Sequence, residues 1–142
     1  MEKERERAEK MGYPDPIQLN KEATDKAFND SLEFCIENIS RVSLVCGSHN
    51  EYSNFYLTQL LKKHNLPHND KHVWFSQLLG MSDNISFNLA NAGYNVVKYV
   101  PFGPVRTVMP YLFRRANENT SVAGQSSREL LLIRKEMKRR KI

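Results

Sequence analysis

No stretch of this sequence is apolar enough to cross a bilayer: no run approaches the roughly 18 residues a membrane helix needs. There is no internal repeat of solenoid length and no low-complexity tract. Cysteine is scarce, at two in 142 residues. Cys35 and Cys46 sit in apolar surroundings, which predicts buried free thiols in a reducing compartment and excludes a disulfide framework. The start, MEKERERAEK, is wholly charged and is no signal peptide; if sequence precedes it, that says nothing of targeting. His64, His68 and His72 are evenly spaced, but Pro67 breaks the helix that would align them. No Cys or carboxylate cluster completes a site, so no metal is expected. The net charge of +5 is mild for this length. It is concentrated in RKEMKRRKI at 134–142, where no aromatics are interleaved. A solvated basic helix is the ordinary reading of such a tail, and nucleic-acid binding is not expected.

What is present is an alternation. Met1 to Met11 has good helix propensity but no apolar stripe, and cannot bury a face by itself. GYPDPIQLN at 12–20 reads as a loop punctuated by Pro14 and Pro16. Lys21 to Asn38 reads as a helix with Asn20 as N-cap and an apolar side from Ala23 to Ile39. Val42 to Cys46 is a short β-branched run, a buried strand, ending in Gly47-Ser48-His49-Asn50. A helix over Glu51–Lys63 follows. A strand begins at Val73 and runs into Gln77-Leu78-Leu79-Gly80. Asp83 to Ala92 is a short helix closed by Gly93. Val96 to Val100 is a third strand, Val105 to Asn117 a helix and Thr120 to Gln125 a loop. Ser126 with Glu129 forms a capping box for a terminal helix over 127–141. Helix, then three strand–helix units, then a last helix argues an α/β fold with a parallel sheet and right-handed crossovers.

The chain is organised around YVPFGPVRTVMPYLFRRANEN, Tyr99 to Asn119. Helical spacing puts Tyr111, Arg114, Arg115 and Glu118 on one stripe. Neighbouring guanidiniums offer planar, permanently charged forks for a carboxylate or phosphate. Spacing alone also fits a solvated helix face with an ordinary ion pair, which is worth little.

That strand–loop–helix resembles the last βα unit of the proline dehydrogenase family. GSHN at 47–50, FSQLLGM at 75–81 and NAGYNVVKYVPFGP at 91–104 agree with it in order. The resemblance runs through nearly the whole chain and implies a (β/α)8 TIM-type barrel. A complete barrel needs about 200 residues at least and about 250 typically. Residues 1–142 are therefore expected to be the carboxy-terminal portion of a proline dehydrogenase domain: about three βα units plus flanking helices, inactive alone.

The resemblance implies FAD as cofactor and L-proline as substrate, oxidised to pyrroline-5-carboxylate. Arg114 and Arg115 would grip the substrate carboxylate. Glu118 would brace an Arg or touch the flavin, and Tyr111 would line the same pocket. Leu78 would supply an apolar wall for the proline ring. Tyr99 would pack beside that ring; a Tyr there goes with proline, whereas related hydroxyproline dehydrogenases have a smaller Ser. His49 would contact the flavin, with Ser48 and Asn50 adding hydrogen bonds. FSQLLGM and the basic terminal helix look closer to the eukaryotic branch, which implies mitochondria, inner-membrane association and a quinone or other electron-transport acceptor. Hydroxyproline oxidation is the alternative within the family. A non-enzymatic module, with the paired Arg holding phosphate or nucleic acid, is the alternative outside it. No residue here stands out as a base.

Overall fold

The structure, a computed structural model, describes the backbone of residues 2–121 and 125–140, and the side chains of residues 3–115 and 130–140. The elements are α1 (Glu2–Met11), α2 (Lys21–Glu37), β1 (Leu44–Gly47), α3 (Glu51–Lys63), β2 (Val73–Leu78), α4 (Asp83–Asn91), β3 (Val96–Tyr99), α5 (Val105–Ser121) and α6 (Gln125–Arg140). The expected alternation holds. The differences lie at ends: Val42 and Ser43 precede β1, and α5 runs on through Ser121. The Ser126–Glu129 capping box lies outside the described side chains.

The three strands are parallel in the order β1-β2-β3. Gly47 pairs with Ser76, and Leu78 pairs with Tyr99. Strand residues alternate between faces, and the two faces have different fates. Cys46, Val73, Phe75 and Gln77 point to one side and are buried, as are Leu57, Leu60 and Leu61 of α3 and Leu32 and Ile36 of α2. Each such large apolar side chain contributes about 1.5–3 kcal/mol by leaving water. On the other side Val45, Trp74, Val97 and Tyr99 are exposed. An all-parallel sheet is ordinarily covered on both faces. Here, among the described residues, helices cover one face, and the outer edges of β1 and β3 pair with no further strand.

Local chemistry sets the ends. Asn20 is extended and its side chain accepts from the Ala23 amide, capping α2 as expected. Gly93 follows α4 with φ of 84°, a left-handed turn that a β-carbon would strain. α1 departs from expectation at one residue: Ala8 is buried although the helix has no apolar stripe. The loop after it folds back, with Tyr13 donating to Glu4 and Asp15 paired to Arg5 at 3.5 Å.

The spaced histidines take structural parts. His72 Nδ1 lies 3.0 Å from the Ser43 hydroxyl, and His68 stacks on Tyr94 with its Nδ1 3.0 Å from the Ala92 carbonyl. Neither cysteine is in a disulfide; Cys46 is buried and Cys35 half-buried.

Candidate functional site

The carboxyl ends of the three parallel strands open on one cleft of about 380 Å³. Its wall is built from successive units. Gly47 and His49 come from the end of β1, Ser76 and Leu78 from β2, Tyr99 from β3, and Tyr111 and Arg115 from α5. Five residues singled out in the sequence therefore meet here: His49, Leu78, Tyr99, Tyr111 and Arg115. Leu78 and Tyr99 are paired partners in the β2–β3 register, which makes them neighbours on the uncovered face.

Tyr99 and Tyr111 meet edge to face, with centroids 6.0 Å apart and planes at 68°. The Arg115 guanidinium carbon lies 5.3 Å from the centre of the Tyr111 ring. That distance is within the range of a cation–π contact, and the geometry fixes where the charge sits. Arg115 is the one permanent cation among the described residues that line the cleft. A carboxylate is the ligand such a site suits.

The other expected residues lie differently. Arg114 is exposed and is not part of the cleft wall. Adjacent helical positions point about 100° apart, and of the two it is Arg115 that lines the cleft. The Glu118 side chain lies outside those described. Ser48 and Asn50 organise backbone. The Ser48 hydroxyl accepts from the Asn50 amide at 3.1 Å, and the Asn50 side chain caps α3 by accepting from the Tyr52 amide at 2.9 Å. His49 is held between them, with Nδ1 2.9 Å from the Ser82 hydroxyl.

Beneath the cleft runs a buried polar network that sequence reasoning missed. Asn54 donates to the carbonyls of Ser48 and Asn50 at 3.0 and 2.8 Å. Gln77 donates to the Ser48 carbonyl and to Asn54 Oδ1, each at 3.2 Å, and accepts from the Ser86 hydroxyl at 2.8 Å. Asn54, Gln77 and Ser86 are all nearly inaccessible to water. Together they fasten the loop that carries His49 to β2 and α4. The available signal was Gln77 itself, a large polar residue in a mostly apolar strand. A second fastening is Lys98, whose ammonium donates to the carbonyls of Met81 and Leu78 at 2.7 and 3.4 Å and pairs with Asp83 at 2.8 Å. It ties the turn after β2 to β3. Cys46 lies one residue before Gly47, and burial pushes its thiol up to about 12. Cys46 is thus a neutral packing group and no nucleophile.

Comparison with known proteins agrees with this geometry. The profile described as proline dehydrogenase matches residues 1–128. Proline dehydrogenase 1, mitochondrial, of Caenorhabditis elegans is 42% identical over 99% of this chain and 24% of its own length. Hydroxyproline dehydrogenase of Xenopus laevis is 41% identical over 99% of this chain and 31% of its own length. A crystal structure of proline utilization A (PutA) from Bdellovibrio bacteriovorus inactivated by N-propargylglycine superposes with a TM-score of 0.75 at 30% identity, covering 86% of this chain and 12% of that one. The three βα units are thus part of a TIM-type barrel, in which the bare sheet face lines the interior and the outer edges of β1 and β3 are where neighbouring barrel strands pair. The chain spans between a fifth and a third of the curated relatives it matches. With the profile matched along residues 1–128 and the fold shared with PutA, the chain belongs to the proline dehydrogenase family.

Proposed function

We propose that residues 1–142 are the carboxy-terminal portion of a barrel that oxidises L-proline to pyrroline-5-carboxylate with FAD. One observation carries this reading: Arg115, Tyr99, Tyr111, Leu78 and His49 converge on a single cleft at the strand ends, where barrel enzymes keep their chemistry. Arg115 holds the substrate carboxylate, which leaves the pyrrolidine ring against Tyr99 and Leu78. Arg114 and Glu118 act around that grip, from the same helix. The aromatic pair shields the ring from water.

The residues fit a flavin. A β-carbon at Gly47 would meet nothing within 4 Å, so a planar ring can approach the end of β1 closely, with His49 beside it. Ser48 and Asn50 keep His49 at that edge. The bound flavin supplies the acceptor for hydride from proline C5. The chain's contribution is orientation, which can lower a barrier by several kcal/mol. The relatives' names place them in mitochondria, and we extend that compartment, with an electron-transport quinone as final acceptor at the inner membrane, to this protein.

A second reading has one observation in its favour, the 41% identity to a hydroxyproline dehydrogenase. The ring of Tyr99 beside Leu78 leaves less room for a ring hydroxyl and favours proline.

A chimera tests the proposal. This chain replaces the matching segment of the Caenorhabditis elegans relative, and the purified protein is assayed with proline and with 4-hydroxyproline. The expected result is bound flavin and proline oxidation with hydroxyproline the poorer substrate. A chimera that binds flavin and oxidises neither amino acid overturns it.

A further inference from the structure

Helix α6 has two faces of different character. Leu132 and Glu136, one turn apart, line a groove with Phe55 of α3 and Leu89 of α4. That side is turned to the body of the chain. Leu131, Arg134, Lys135 and Lys138 stand at i, i+3, i+4 and i+7, the spacing of a single helix face. With Met137 they line a separate, open groove of about 680 Å³. All five are exposed. Leu131 keeps 63% of its surface in water and Met137 45%.

The cations of this groove are uncommitted. Glu136 pairs with Arg139 and Arg140, each at 2.7 Å. Among the described residues, Arg134, Lys135 and Lys138 have no ion-pair partner. Free cations alone suit solvent, and large apolar side chains alone suit a core or a protein interface. Protein interfaces are depleted in lysine. An anionic bilayer satisfies both at once. Apolar side chains sink to the boundary between headgroups and acyl chains, while Lys and Arg lay their stems on apolar surface and keep their charged ends at the lipid phosphates. A helix of 16 residues so charged lies along a bilayer and does not cross it.

We propose that this face of α6 docks the protein on a bilayer surface that carries anionic phospholipid. The identity of that bilayer as the mitochondrial inner membrane rests on the function proposed above; the docking itself does not.

The test is co-sedimentation of the 142-residue chain with vesicles. One set is phosphatidylcholine alone; the other is phosphatidylcholine mixed about equally with phosphatidylglycerol. A charge variant carries Arg134→Gln, Lys135→Gln and Lys138→Gln. An apolar variant carries Leu131→Ser and Met137→Ser. All five positions are exposed, so both variants should keep the fold, which circular dichroism checks. The unaltered chain is expected on the mixed vesicles and should leave them as salt rises. Each cation near an anionic surface contributes about fivefold in affinity, so the charge variant should bind about a hundredfold more weakly. The apolar variant should lose about tenfold.

Equal binding to both kinds of vesicle would overturn the proposal, because the bare sheet face alone would account for it. Undiminished binding by the charge variant would overturn it too. Undiminished binding by the apolar variant would leave a patch of cations open to any polyanion, and no docking face. The catalytic reading is tested apart from this, by proline oxidation in the chimera with a soluble dye as electron acceptor. A chimera that oxidises proline, beside a chain that ignores anionic vesicles, defeats the docking face alone. An inactive chimera, beside a chain whose vesicle binding falls in both variants, upholds the docking face and defeats the catalytic reading alone.

Discussion

The guanidinium of Arg115 rests over the ring of Tyr111, 5.3 Å from its centre, one helical turn away on α5. The same ring meets Tyr99 at the end of β3 edge to face. Charge, helix and strand are thereby locked in one register. Pro110 sits immediately before Tyr111 inside the helix, where it cannot donate to the carbonyl of Arg106. The aromatic contact across to β3 thus ties α5 to the sheet next to the point where its own hydrogen-bond ladder is interrupted.

Gln77 should be as sensitive to substitution as a buried apolar residue of its strand. Gln77→Leu keeps the volume but leaves Asn54 Oδ1, the Ser48 carbonyl and the Ser86 hydroxyl each short of a partner. Unsatisfied buried groups cost about 1–3 kcal/mol each. The expected loss is about 2–4 kcal/mol in urea unfolding, with the Gly47–Asn50 loop showing increased hydrogen exchange. A loss under about 0.5 kcal/mol, the range of ordinary surface changes, would show that the network does not hold the loop.

Lys98→Met should destabilise by about 1–3 kcal/mol, because the Met81 carbonyl and Asp83 lose a charged partner. A purely superficial ion pair would be worth about 1 kcal/mol at most and would weaken in salt. Lys98 is mostly buried, with 20% of its side chain exposed. Unfolding midpoints at low and high salt separate the cases: the cost should survive high salt.

Cys46 should resist thiol reagents at pH 8 in the folded chain, while half-buried Cys35 reacts. Burial raises the Cys46 thiol from 9.0 to about 12. Between those values the unfolded chain ionises at Cys46 and the folded chain does not, so unfolding releases a proton. The contribution to stability is therefore intact below pH 9 and falls as pH rises toward 12, by about 1.4 kcal/mol per unit. Comparison with Cys46→Ala isolates this slope; parallel stability curves above pH 9 would contradict it.

The parts of the fold set by neighbours in sequence were legible beforehand. Asn20 precedes its helix by the spacing a cap needs, Gly93 closes α4, and Glu51–Lys63 shows its apolar stripe. The convergence of Leu78 and Tyr99 was also legible, since ends of consecutive parallel strands share a rim. What sequence could not reveal depends on register between distant segments. Lys98 reaches Met81 and Gln77 reaches Asn54 only because β1, β2 and β3 pair as they do. Periodicity names the face a residue occupies, not the partner it finds there. The paired arginines show the same limit. RR reads as one anion fork on a string, but a helix turns the two residues apart, and only Arg115 enters the cleft.

Tyr99→Ser in the chimera should shift preference from proline toward 4-hydroxyproline. The ring of Tyr99 stands beside Leu78 on the uncovered face. Cutting it to Ser opens the space a ring hydroxyl needs, and pocket changes of this size alter discrimination by roughly 1–3 kcal/mol. The ratio of the two kcat/KM values measures it; an unchanged ratio would remove Tyr99 from specificity. Loss of the edge-to-face contact with Tyr111 should lower stability by about 0.5–1.5 kcal/mol as well.

Arg115→Met in the chimera should raise KM for proline strongly while flavin stays bound. A carboxylate drawn from water into the cleft must recover its hydration in charge-assisted hydrogen bonds, each worth about 1.5–3 kcal/mol. The cleft wall offers one guanidinium for this and no other permanent cation. Arg115→Lys should recover only part of the loss, because an ammonium is a point charge and does not reproduce the planar fork. Arg114→Met should cost less than Arg115→Met, since Arg114 is exposed and absent from the cleft wall. A solvated ion pair at Arg115 makes a different forecast: at most ~1 kcal/mol, and equal effects at the two positions. Steady-state kinetics on the three variants, with flavin occupancy read by absorbance, decides between them. Equal and small effects of Arg114→Met and Arg115→Met on KM would defeat the carboxylate assignment, because only that assignment makes the direction in which each arginine points matter.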